Sequence, residues 1–180
     1  MKRRYTLSLI FTLMFIVAYL ENARGVFLPS FRETFQVDSV AISFMISLST
    51  FGYLLATLTS DFVSDRIGTK GVLLVATFLM GVTAILLSFT TNYTLFLVVM
   101  FLMNVALGLN NYGMNVTVPL MALGNLPVIM NSLHFMYASG ATVSQRLNGV
   151  LISSNITYQR IYLWIGIAFL VGFVALIFSK

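Results

Sequence analysis

Apolar residues run along this chain in blocks of about twenty, cut by short polar turns, instead of alternating with polar ones or confining themselves to one helical face. A helix needs roughly 20 residues to cross the hydrocarbon core of a bilayer, about 30 Å thick. By that ruler the pattern predicts six helices, over 5–28, 39–60, 71–90, 93–123, 129–154 and 160–179. Pro29 with Arg32 and Glu33 closes the first, and Thr90-Thr91-Asn92 separates the third from the fourth. Gly124-Asn125-Leu126-Pro127 ends the fourth and Asn155-Ile156-Thr157 the fifth. The expected fold class is therefore an all-α integral membrane protein, with six transmembrane helices forming one domain over 1–180.

Composition supports the membrane reading. The 180 residues are 59% hydrophobic and 8% charged, with a mean hydropathy of +0.96. Residues 71–145 contain no Asp, Glu, Lys or Arg, where roughly a quarter of ordinary residues are charged. The net charge of +5 does not imply nucleic acid, because the basic residues flank apolar runs and share no solvated face. With no Cys and a single His, no disulfide, metal site or cofactor is expected. Lys2-Arg3-Arg4 precedes the first apolar run as in a signal peptide, but the run is too long for a signal core and is expected to remain as a spanning helix. With the N-terminus inside, Lys2, Arg3, Arg4, Arg66, Lys70 and Lys180 fall on the cytoplasmic side, against Arg32 and Arg160 outside. That bias predicts a multi-pass protein of the cell (inner or plasma) membrane with both termini cytoplasmic.

Ionisable groups inside apolar helices are costly and mark substrate or ion paths by default. Glu21, Arg24, His134 and Arg146 are the candidates here. Glu21 and Arg24, three apart, share a face of the first helix with Asn22 beside them. Counting 1.5 Å per residue, Glu21 and Arg146 each lie about 25 Å above the inner ends of their helices, so they are expected to pair. In the fourth helix Asn104, Gly108, Asn111 and Asn115 form one stripe, and amides suit hydroxyl-rich ligands because they both donate and accept. Ser43, Ser47, Thr50 and Thr57 make a weaker stripe on the second helix, readable also as hydroxyls bonded to their own helix. No catalytic constellation is present. The segment Tyr137-Ala138-Ser139-Gly140 resembles a rhomboid-type protease nucleophile, but His134 sits about 140° around the same helix and cannot act as its base.

Between the second and third predicted helices lies Asp61-Phe62-Val63-Ser64-Asp65-Arg66-Ile67-Gly68-Thr69-Lys70. This turn resembles the signature Gly-x-x-x-Asp-Arg/Lys-x-Gly-basic-basic of major facilitator superfamily transporters. Asp65, Arg66, Gly68 and Lys70 match; Asp61 replaces the leading Gly and Thr69 one basic residue. The resemblance spans the whole chain but half a typical member. It implies the N-terminal six-helix half, built as a 3+3 inverted repeat, with the turn (Asp61, Asp65, Arg66, Gly68, Lys70) gating the cytoplasmic side. His134 to Ala141 is similar, more weakly, to a segment of fucose-permease-like sugar symporters, while the Gly-Pro associated with drug antiporters is replaced by Ser144-Gln145-Arg146. The expected function is a secondary transporter moving a small polar solute, such as a sugar or sugar acid, by alternating access. Proton coupling through Glu21 is one option. Its partners would be the solute, the bilayer and a second six-helix unit, either another copy or a separate C-terminal half. The competing expectation is a non-transporting half, or a remnant, partnering another membrane chain; drug or metabolite export ranks below both. The expected solute or ion path comprises Glu21, Asn22, Arg24, Asn104, Asn111, Asn115 and Arg146.

Overall fold

The computed structural model of the protein describes residues 2–121 and 124–179. The expected fourth-helix end at Leu123, the Lys2 side chain and Lys180 lie outside what is described. Among the described residues five helices follow one another: α1 (Lys2–Phe35), α2 (Ser39–Phe89), α3 (Tyr93–Met121), α4 (Leu126–Ser153) and α5 (Tyr158–Ile177). α1, α2, α3 and α5 are long and apolar enough to cross a membrane. α4 is as long but carries His134, Gln145, Arg146 and Asn148, which lower its hydropathy.

α2 is 51 residues long, but its backbone leaves helical geometry at Gly68 (φ 75°, ψ 159°), a combination that is almost exclusive to glycine. Contacts with α3 give the direction of the two arms. In the first arm Ala41 accepts from the Tyr93 hydroxyl, Gly52 abuts Phe101, and Asp61 accepts from Tyr112, so both chains advance together. In the second arm Leu73 meets Gly113 while Thr77 meets Asn110, so the order is reversed. The arms therefore run in opposite directions on either side of Gly68.

α1 does not stop before Pro29 as expected; it continues to Phe35 with the proline inside it. Pro29 lacks the N–H that would bond the Gly25 carbonyl. Packing compensates: Phe27 and Phe31, one turn apart, are fully buried against Tyr158, Tyr162 and Phe96, with ring centroids 4.9–6.2 Å apart. Such ring pairs contribute about 0.5–1.5 kcal/mol each beyond area burial. The turn after α1 closes with Gln36 in the left-handed region, the Val37 N–H on the Arg32 carbonyl, and Asp38 capping α2 through the Ala41 N–H at 2.9 Å.

In lipid the helices gain little from apolar burial alone, so close approach of small residues decides where they meet. A Cβ on Gly166 of α5 would lie 2.9 Å from the Gly81 carbonyl oxygen and 2.6 Å from Ile85 of the second arm. A Cβ on Gly108 of α3 would lie 2.8 Å from the Tyr53 carbonyl oxygen of the first arm, and one on Gly140 of α4 would collide with the Phe15 carbonyl of α1. The contacts leave α1 between α4 and α5, with α3 against its side.

Candidate functional site

The apolar core of α1 (Leu20, Ala23, Phe27) is buried, which leaves Glu21, Asn22 and Arg24 half-buried along the neighbouring face. The Glu21 carboxylate accepts a hydrogen bond from the Tyr137 hydroxyl of α4 at 2.7 Å. Asn22 donates to the Ala18 carbonyl at 2.8 Å. Arg24 reaches α3, where Nη1 donates to the Asn104 side-chain oxygen at 3.3 Å. The Asn104 amide nitrogen is tied to the Met100 carbonyl at 2.8 Å, so its oxygen is held toward Arg24.

The expected Glu21–Arg146 pair is not made. Arg146 is exposed on α4, and among the described residues no ion pair joins the two. The depths do match, but depth is only one coordinate. Gln145, one residue earlier and about 100° around the helix, shares a recess with Glu21 instead. Together with Asn22, Arg24, Gly25 and Ile46 these two residues line an open recess of ≈ 270 Å³. A much smaller gap, ≈ 10 Å³, lies between α1 and α3 beside Arg24 and Asn104.

The asparagine stripe of α3 divides by role. Asn104 is buried and serves Arg24. Asn111 donates to the Tyr53 hydroxyl of α2 at 3.0 Å, and Asn115 donates to the Asn111 side-chain oxygen at 2.6 Å, forming a half-buried chain. Gly108, in the same stripe, is a packing position. The hydroxyls of Ser43, Ser47, Thr50 and Thr57 all return to carbonyls four residues back, so that stripe satisfies its own helix. His134 is exposed.

Sequence reasoning missed the tyrosines that organise the site. Tyr137 and Tyr53 each present a hydroxyl from a largely apolar stretch, a signal available in the sequence because a phenol in an apolar helix needs a partner. A second polar lock was missed too. Tyr19 donates to Asn148 at 2.7 Å, Asn148 to Ser144 at 3.0 Å, and Ser144 to the Tyr19 carbonyl at 2.6 Å, joining α1 to α4.

At the 61–70 turn, Asp61 accepts from the Tyr112 hydroxyl of α3 at 2.7 Å, so a hydrogen bond across the corner stands where the family signature has a small residue. The Arg66 guanidinium lies 4.3 Å from the centroid of the Phe62 ring. Lys70 donates to the Ser179 carbonyl, and Arg3 donates to the Leu120 carbonyl at 2.6 Å. Each places a cation at the C-terminal end of a helix, where the backbone dipole favours it. Asp65 is exposed.

No curated protein matches the chain. The match found is to the superfamily as a whole, and it lends no support to the narrower likeness to fucose-permease-like symporters. It covers residues 10–180 with the family model described as Major Facilitator Superfamily. The chain belongs to the Major Facilitator Superfamily, a family of membrane transporters.

Proposed function

We propose that the chain is a single six-span domain of a secondary transporter, which moves a small polar solute, such as a sugar or sugar acid, by alternating access. The two opposed arms of α2, counted with α1, α3, α4 and α5, make the six crossings of this reading. The carrying observation is a pair of polar contacts between largely apolar helices: Glu21 of α1 with Tyr137 of α4, and Tyr53 in the first arm of α2 with Asn111 of α3. Glu21, Asn22 and Arg24 form the wall nearest the open recess, while Asn111 and Asn115 extend the polar surface along α3. Arg146, exposed on α4, faces a second six-helix unit, as do the exposed Phe44 and Phe51 of α2. That unit is another copy or a C-terminal half. The exposed Asp65 and Arg66 are the parts of the 61–70 turn available to latch onto it from the cytoplasmic side. Glu21 is the proton-coupling group of this scheme.

The test is solute exchange in vesicles from cells expressing the chain with its second unit, using a panel of labelled sugars and sugar acids. Exchange of at least one solute is expected. Glu21→Gln should keep that exchange and lose proton-driven accumulation. Absence of exchange across the panel would overturn the reading. Single cysteines supply the orientation: one at Thr69 should label only from the cytoplasm and one at Gln36 only from outside, and reversed labelling would remove the latch role from the turn.

A further inference from the structure

We propose that Arg24 is an anion subsite and that the solute it holds is a hydroxylated carboxylate, an inference that rests on the transport reading above. A guanidinium in a spanning helix is costly unless an acid, a dipole or a ligand answers its charge. Here its hydrogen-bond partner is a neutral amide, Asn104, at 3.3 Å. Glu21, the nearest acid along the helix, is one turn away, and its carboxylate is engaged by the Tyr137 hydroxyl. Among the described residues no carboxylate lies within ion-pairing distance of Arg24.

A guanidinium has five N–H donors in a rigid fork. One is spent on Asn104, whose orientation is fixed by its own bond to the Met100 carbonyl. This leaves a half-buried, positioned cation with donors to spare on the wall of the ≈ 270 Å³ recess. A carboxylate matches that fork with two parallel hydrogen bonds and answers the charge at the same time. The groups lining the recess beside it, Asn22 and Gln145, are neutral amides that both donate and accept, which suits hydroxyl groups. Glu21, with lone pairs beyond the one taken by Tyr137, can accept from a ligand hydroxyl. A phosphate would fit the fork too, but its second negative charge would face Glu21 at close quarters.

The experiment is thermal melting of the purified full chain in lipid nanodiscs. The probes are lactate, glycerate and gluconate, each beside its neutral counterpart propane-1,2-diol, glycerol or glucose, and serine beside glycerate. At least one hydroxy acid is expected to raise Tm where its neutral counterpart does not. Arg24→Gln should weaken binding of that carboxylate by at least about tenfold, and Arg24→Lys should fall between. The proposal is overturned if no hydroxy acid shifts Tm, if neutral counterparts shift it equally, or if Arg24→Gln retains full carboxylate binding. A shift by serine as large as that by glycerate overturns the hydroxy-acid class, because an ammonium would then be replacing the hydroxyl beside Glu21. The wild-type comparison stands even if Arg24→Gln fails to fold. Exchange of a neutral sugar with no response to any acid would remove the subsite and leave the transport reading intact.

Discussion

α1 faces two different walls, and the contrast explains how one helix serves both as scaffold and as site. Toward α5 it is dry: Phe27 and Phe31 interlock with Tyr158 and Tyr162, and Leu13 packs over Gly172. The second arm of α2 meets α5 in the same manner through Gly81 and Gly166. Toward α4 and α3 it is polar: Glu21 with Tyr137, Tyr19 with Asn148, and Arg24 with Asn104. Backbone-to-backbone contact through glycine admits few alternative arrangements, because any shift produces overlap or a void. Hydrogen bonds between long side chains can be exchanged for bonds to a ligand or water at little net cost. The dry wall is suited to hold the bundle; the polar wall is anchored by Gly140 on the Phe15 carbonyl and, beyond that contact, is suited to answer a solute.

The strongest test of the glycine contacts sets a close one against an open position. Gly166→Ala should destabilise by about 2–3 kcal/mol, since the new methyl meets backbone atoms that cannot swing away. Gly149→Ala on α4, with nothing within 4 Å, should be neutral or stabilising by about 0.5–1 kcal/mol. Thermal melting of the two variants checks this, and equal losses would mean that the Gly166 contact does not hold the bundle. Next in size is Gly68→Ala at the reversal of α2. Open space surrounds it, so the cost is purely conformational, about 1–3 kcal/mol. A normal melting curve for that variant would show that the two arms do not depend on this backbone geometry.

On the polar wall, a double-mutant cycle of Glu21→Gln and Tyr137→Phe should give a coupling of about 1.5 kcal/mol, the scale of a hydrogen bond to a charged group. A coupling near zero would mean that the two side chains are not bonded in the membrane. The smallest effect is expected at the turn. Tyr112→Phe removes the bond to Asp61 at a stability cost of about 0.5 kcal/mol, so a change in transport rate with unchanged melting would separate a gating role from a packing one. Loss of both together would place Tyr112 with the scaffold.

Much of the site was legible in part. Asn104, Asn111 and Asn115 were recognisable as facing protein because helical spacing alone puts them on one stripe, and a lipid-facing row of amides is unfavourable. Their separate duties were not legible, since these depend on Arg24 and Tyr53 arriving at particular heights from neighbouring helices. The Glu21–Arg146 expectation failed for a related reason. Rise per residue gives depth from sequence, whereas the facing direction of α4 is set by Gly140 docking on the Phe15 carbonyl and by Ser144 bonding to Tyr19. With those two residues inward, Gln145 reaches the recess and Arg146 does not.

By itself the sequence determined the helical, membrane-embedded class, because long uncharged apolar stretches can satisfy their backbone only as helices in lipid. It also determined the place where α2 reverses, because Gly68 is free to adopt a backbone conformation closed to other residues. Only the tertiary structure decided that α1 runs through Pro29, which the aromatic packing of Phe27 and Phe31 outweighs. Only the tertiary structure assigned partners to Glu21 and Arg24, since hydrogen bonds between helices depend on rotation and offset. Those follow from where glycines allow backbones to touch, a property of pairs of helices that neither segment carries alone.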